Sequence, residues 1–252
     1  MAATPAWPPR STPRLFVDRP LAPGPLALDG PPAHYLLQVM RAKPGDPVRL
    51  FDDRTGEWLA TVAETAKRAL TLDVGAQLAP REAVPDLWLC AAPLKKGRSD
   101  WLAEKACELG VGRLVPVVTR RTVVDQPNTD RLRAHLIEAA EQCGRTALPQ
   151  LAAPVKLTAL LRDWAVAGNG SDRALFFADE QGGAPAFETM RARPGPAAVL
   201  IGPEGGFDDA ERAAIRALPQ AVGVSLGPRI LRADTAAAAA VSMWMAAVGD
   251  WR

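Results

Sequence analysis

The chain has 252 residues, 48% of them apolar and 23% charged, a mix that suits a folded globular protein and excludes a disordered, collagenous or coiled-coil chain. Thirty basic residues against 28 acidic leave a net charge of +2, so a site for a polyanion has to be a local patch rather than a global field. Cys90, Cys107 and Cys143 have no close pair and only His34 and His135 to join them, which speaks against a disulfide framework and against a metal site.

Residues 1–13 carry Pro5, Pro8, Pro9 and Pro13 and no apolar core of a signal peptide, so they are expected to be disordered or extended. Short alternating segments follow at 14–17, 48–51, 57–62 and 69–74, separated by turn signals, and together they read as a small β-rich module. Within it, Tyr35, Leu36, Val39 and Met40 are spaced as on a helix over 34–40. The stretch 78–85, with two prolines and mixed charge, reads as the linker. Domains are therefore expected at 14–78 and 79–252.

Beyond the linker, strand-like and helix-like segments alternate: strands at 86–92, 113–119, 174–178, 197–201 and 222–226, helices at 99–109, 130–143, 157–166, 208–218 and 233–248. Asp208 followed by Glu211 forms a capping-box pattern at the start of one helix. Such alternation implies a mostly parallel sheet covered on both faces, with ligands at the carboxyl ends of its strands. The longest apolar run, 236–248, falls well short of the roughly 20 residues of a membrane span and reads as a buried helix. A soluble, cytoplasmic protein is expected.

Two loops after strands hold the ligand-binding signals. In IGPEGGF (201–207) the glycines let the backbone approach a ligand and the next helix offers unpaired amides; LGPRILRADTA (226–236) presents Arg229, Ile230, Leu231 and Arg232 before another helix. Amides beside apolar groups suit a nucleoside-like ligand better than a bare phosphate, although each loop also fits a plain tight turn. Other motifs drop out. GxxxxGK[ST] is absent, Gly110 to Gly112 ends a helix rather than a strand, and the GxSxG at 223–227 has both histidines upstream of its serine, against the order hydrolases require. Lys95, Lys96 and Arg98 crowd a turn where they could grip phosphate, and Arg145 closes the polar helix end EAAEQCGR, as a functional group or as a cap. His34 and His135 read as structural.

IGPEGGF, LGPRILRADTA, EAAEQCGR, KKGRSDWLAEKACELGVGRLVPVVTRRT and, near the start, PRLFV and HYLLQVMRAKPGDPVRLFD stand in the order of one family. Together they resemble the bacterial 16S ribosomal RNA (uracil-N3)-methyltransferases of the SPOUT superfamily, over nearly the whole chain. Asp234 stands where that family usually has glutamate, and Met40 where leucine is common. The resemblance implies an α/β fold with a SPOUT-type parallel sheet and a C-terminal trefoil knot, preceded by a small PUA-like β-barrel, in a homodimer. It implies S-adenosyl-L-methionine as cofactor, held by Leu200, Ile201, Gly202 and Gly206 in one loop and Leu226, Gly227, Ile230 and Leu231 in the other. It further implies methylation of a uridine N3 in 16S rRNA of the small ribosomal subunit, without metal or membrane. Arg145 and Arg232 would stabilise the uracil anion or its phosphate, and Glu204 or Asp234 would orient a group or take the proton. Arg14, Arg41 and Lys43, with Lys95, Lys96 and Arg98, would contact RNA. RNA 2′-hydroxyl methylation and a non-catalytic, RNA-binding ribosome assembly factor are the alternatives.

Overall fold

The computed structural model describes residues 12–95, 97–164 and 172–251, which cluster into two units. The first comprises the chain through Ala83 together with Glu141–Ala147; the second holds Val84–Ala140 and the chain from Leu148 onward. Residues 12 and 13 apart, the start expected to be disordered or extended lies outside the described residues.

Apolar residues on one face of each strand build the first unit. Its strands β1 (Arg14–Phe16), β2 (Gly24–Leu28), β3 (Pro47–Phe51), β4 (Gly56–Thr65) and β5 (Leu70–Pro80) lie in the order β1-β3-β4-β5-β2, with β1 parallel to β3 and the other pairs antiparallel. Leu15, Leu26, Val48, Leu50, Val62, Leu72 and Val74 meet Leu36 in its core. The helical spacing over 34–40 is realised differently. Pro31 and Pro32 start a helix earlier, α1 (Gly30–His34), and it passes into one wide turn, Tyr35–Val39, in which the Met40 amide donates to the Tyr35 carbonyl over five residues at 3.0 Å. The linker is also shorter than the composition suggests, because Leu78 to Pro80 continue β5 and pair back to Gly56.

Asp52 organises the turn between β3 and β4. Its buried carboxylate accepts from the amides of Leu21 (2.6 Å), Arg54 (2.9 Å) and Thr55 (2.7 Å) and from the Thr55 hydroxyl (2.7 Å). Burial alone would raise its pKa, but these donors together hold it below the ordinary carboxylate value. Asp52→Asn would set an amide group against backbone donors, so the variant is expected to lose about 2 kcal/mol of stability in denaturant titration.

Parallel strands build the second unit, and those at the centre of its sheet are apolar and buried on both faces. The strands are β6 (Leu87–Ala91), β7 (Arg113–Val118), β8 (Gln150–Leu151), β9 (Val155–Lys156), β10 (Ala174–Ala178), β11 (Ala184–Pro185), β12 (Ala197–Ile201) and β13 (Ala221–Ser225). All pairings of this unit among the described residues are parallel, in the order β11-β13-β10-β12-β6-β7-β8 with β9 also on β7. One face carries Trp88, Cys90, Leu175, Phe177, Ala198 and Leu200 in a core with Leu157, Leu160 and Ile215. Burial there pushes the Cys90 thiol up to about 12, which leaves it unreactive.

The helices of this unit are α2 (Arg98–Glu108), α3 (Thr129–Cys143, whose last residues count with the first unit), α4 (Leu157–Arg162), α5 (Ala186–Arg191), α6 (Asp209–Ala217) and α7 (Ala233–Ala247). The end of the helix expected over 157–166 lies outside the described residues. The capping box forms as its pattern predicts: Asp208 accepts from the Glu211 amide at 2.7 Å and Glu211 from the Asp208 amide at 3.1 Å. Alanines of α7 let it pack closely on α2, α5, β6 and β12. His135 of α3 contacts Glu104 of α2 through Nδ1 at 2.9 Å, and His34 is exposed at the end of α1. Among the described residues no helix is long and apolar enough to cross a membrane.

Candidate active site

The carboxyl ends of β10, β12 and β13 open into a cleft of about 570 Å³, the place where parallel α/β sheets bind ligands and a volume suited to a small organic molecule. Three segments line it: Ala178 to Gly183 after β10, Ile201 to Phe207 after β12, and Val224 to Ala233 after β13. Of the residues expected to hold a cofactor, Ile201, Gly202, Gly206, Leu226, Gly227, Ile230 and Leu231 are among them. Leu200 is not. It is fully buried in the core with Trp88 and Phe177, because successive side chains of a strand point to opposite faces and Ile201 takes the position nearest the cleft.

Glycine geometry shapes this wall. Gly206 has φ of 66°, and a Cβ there would strike the Glu180 carboxylate. Gly202 lies under the Phe207 ring, 3.2 Å from where a Cβ would stand. The turn after β7 clamps the loop from the other side: the Arg121 guanidinium donates to the Gly205 carbonyl at 2.7 Å, Arg120 pairs with Asp208 at 3.0 Å, and the Arg120 amide donates to Glu211 at 2.7 Å.

Charged groups gather beside the cleft. Arg98 stands between two carboxylates, its Nη1 4.0 Å from Glu204 and its Nε 3.7 Å from Asp234, and the Lys95 amide donates to Glu204 at 3.4 Å. Glu204 and Arg232 line the cleft together with Arg98. Asp234 sits in the first turn of α7, where it accepts from the Thr235 amide at 2.8 Å, and it is absent from the cleft wall. Arg98, expected on RNA, is therefore tied to the two candidate proton acceptors. Lys95 is exposed, and Lys96 lies outside the described residues.

Other expected residues belong to the first unit. Arg14 is a correction: its side chain is 7% exposed, pairs with Glu57 at 2.9 Å and lies 3.9 Å from the centre of the Phe51 ring, so it serves the barrel and not a phosphate. Arg145 is similarly enclosed, 8% exposed and paired with Glu82 at 3.0 Å, while its carbonyl accepts from Arg14 at 2.6 Å. Those contacts anchor 141–147 to the barrel, and Arg145 does not line the cleft. Arg41 and Lys43 are exposed, Arg41 with φ of 55°.

The sequence reading missed the segment after β10. Asp179 is buried and bound by Arg212 and Arg216 of α6, each at 2.6 Å, and Glu180 lines the cleft beside it. The signal was present in FFADEQGG, a strand ending in two acids and two glycines.

Residues 80–245 match the model of the RNA methyltransferase domain, and residues 28–75 match that of the RNA methyltransferase PUA domain. A ribosomal RNA small subunit methyltransferase E of Mycobacterium bovis is 30% identical over 258 residues, covering 94% of this chain and 95% of that protein. The chain belongs to this RNA methyltransferase family. Another member, from Rickettsia conorii, is 27% identical across 83% of this chain and 84% of its own. Among solved structures, a methyltransferase of Legionella pneumophila in complex with SAM matches with a TM-score of 0.82 and 27% identity, over 94% of this chain and 98% of that one. A family member from Neisseria gonorrhoeae shares the fold, with a TM-score of 0.86 at 23% identity over 96% of this chain and all of that one. The fold is thus the α/β, mostly parallel SPOUT type with an N-terminal PUA domain.

Proposed function

We propose that this protein is an S-adenosylmethionine-dependent methyltransferase that acts on the N3 of a uridine in 16S rRNA of the small ribosomal subunit. The observation that carries the proposal is the cleft at the ends of β10, β12 and β13, walled by glycine backbone and by Leu226, Ile230 and Leu231 and edged by Arg98, Glu204 and Arg232. Apolar surface with close backbone amides fits an adenosyl group, and the charged edge fits a polar reacting centre. Ile201, Gly202, Gly206, Leu226, Gly227, Ile230 and Leu231 would hold the cofactor, which supplies an electrophilic methyl group.

The chain's own groups have two tasks. One is to remove the proton from uracil N3, and Glu204 suits it better than Asp234, because Glu204 lines the cleft and Asp234 does not. The other is to steady the charge left on the base, a task for the exposed Arg232 guanidinium, with Arg98 fixing the position of Glu204. Glu204→Gln is expected to lower kcat about 100-fold or more with cofactor affinity unchanged. Near-normal turnover would pass the role to Asp234.

Exposed Arg41, Lys43 and Lys95 are assigned to phosphate contacts that position the RNA without reading its sequence. The strand order supports the knot that the resemblance implies: β12 lies between β10 and β6, the chain then crosses to β13 beyond β10, and α7 returns to pack on β12 and β6. Exposed Trp101 and Ile230 support a homodimer, for which light scattering is the test. A ribosomal substrate places the protein in the cytoplasm.

The deciding experiment incubates the protein with labelled S-adenosylmethionine and small subunits lacking the modification, then identifies the methylated nucleoside by mass spectrometry. Label in 3-methyluridine is expected. Label in a 2′-O-methylated nucleoside would replace N3 by the ribose hydroxyl, and cofactor affinity without any transfer would favour an assembly factor.

A further inference from the structure

Glu180 is the second residue after β10, lines the cleft, and keeps a side chain that is 47% exposed. Its carboxylate rests against Gly206, whose missing Cβ leaves that space open, and its Oε1 is 3.7 Å from Arg212 Nη2. Arg212 is 6% exposed and is itself fixed by Asp179 at 2.6 Å, the carboxylate that also takes Arg216 at 2.6 Å. Asp179 is held in turn by the backbone: its amide donates to the Val224 carbonyl at 3.0 Å, and its Oδ1 accepts from the Gln181 amide at 3.2 Å. A buried, over-determined network thus presents one half-exposed carboxylate to the cleft.

Charge decides what that carboxylate faces. Asp179 and Glu180 stand against Arg212 and Arg216, a balanced set that needs no cation from a ligand to neutralise it. A carboxylate so balanced accepts best from neutral donors, and two oxygens at the carboxyl end of a parallel strand match the paired hydroxyls of a ribose, as acidic residues do in other nucleotide-binding sheets. We propose that Glu180 accepts hydrogen bonds from the ribose hydroxyls of the adenosyl cofactor, with Asp179 and Arg212 as positioning residues behind it. This inference rests on the reading of the cleft as the cofactor site.

Titration calorimetry with S-adenosylhomocysteine and its 2′,3′-dideoxy counterpart tests it. The unaltered protein is expected to bind the hydroxylated ligand about tenfold or more tightly than the other, and Glu180→Ala should weaken the first to that level while leaving the second unchanged. Asp179→Asn should erode the same preference, and in the Glu180→Ala background it should erode nothing further. Thermal unfolding of Glu180→Ala should match the parent, since the side chain is half exposed. If Glu180→Ala keeps the parent's preference for hydroxyls, Glu180 does not contact the ribose and the inference falls while the cofactor site stands. If the parent binds neither ligand, the reading of the cleft falls, and this inference with it.

Discussion

Asp179→Asn is expected to lower the unfolding temperature by roughly 10 °C. The Asp179 side chain is 1% exposed and Arg212 is 6% exposed, so neutralising the carboxylate strands a buried guanidinium that already has an unpartnered Nε. Breaking such a pair from one side costs about 3–5 kcal/mol, since the buried charge then keeps only the Glu180 carboxylate at 3.7 Å and the Phe207 carbonyl at 3.5 Å. Arg216→Ala removes the other arm at a far smaller loss, because that side chain is 48% exposed and solvent screens its charge. Scanning calorimetry of both variants separates the two arms. Burial raises the Asp179 pKa, yet the hydrogen bonds from Arg216, Gln181 and Arg212 together hold it below the ordinary carboxylate range. A group depressed in the folded state stabilises above its unfolded value and loses that contribution as pH falls through its folded one. The gap between parent and Asp179→Asn should therefore be full at neutral pH and close under acid.

That network shows why part of the site was hidden in the sequence. Strands 174–178 and 197–201 and the Asp208 capping box were legible because apolar runs and cap spacing are local signals. Asp-Glu after a strand looks like a solvated turn until α6 brings two arginines from more than thirty residues away. The orientation of Leu200 was equally hidden. With all five residues of β12 buried, composition gives no alternation from which to tell the core face from the cleft face. Strand β2 was lost to Gly24 and Pro25, which break a strand reading, yet proline is tolerated at the edge of a sheet, where β2 pairs with β5 alone. Arg14 reads as an RNA contact and Arg145 as a functional group or a helix cap because nothing local announces Glu57 or Glu82 as their partners.

The neighbouring glycines after β10 supply the second large effect, on function rather than stability. A Cβ on Gly183 would lie 2.6 Å from the carbonyl carbon of Val224 and 2.8 Å from its Cα and nitrogen, all backbone atoms of β13. A rotamer change cannot relieve such a contact. The two strands have to part by about 1 Å to restore ordinary van der Waals distances, and a shift of that size in groups that position a reactant costs on the order of 100-fold. Gly183→Ala is therefore expected to lower kcat/KM for methyl transfer about 100-fold, with a matching loss of cofactor affinity. The fold should persist, because β11 is a two-residue strand at the edge of the sheet and the core lies under β10, β12 and β6. Gly182→Ala is the control. Its φ of 134° strains any side chain, but no atom lies within 4 Å of the added carbon, so backbone strain acts there without a collision. Equal losses in the two variants would mean that the flexibility of the turn, and not the closeness of residue 183 to Val224, sets the shape of the cleft.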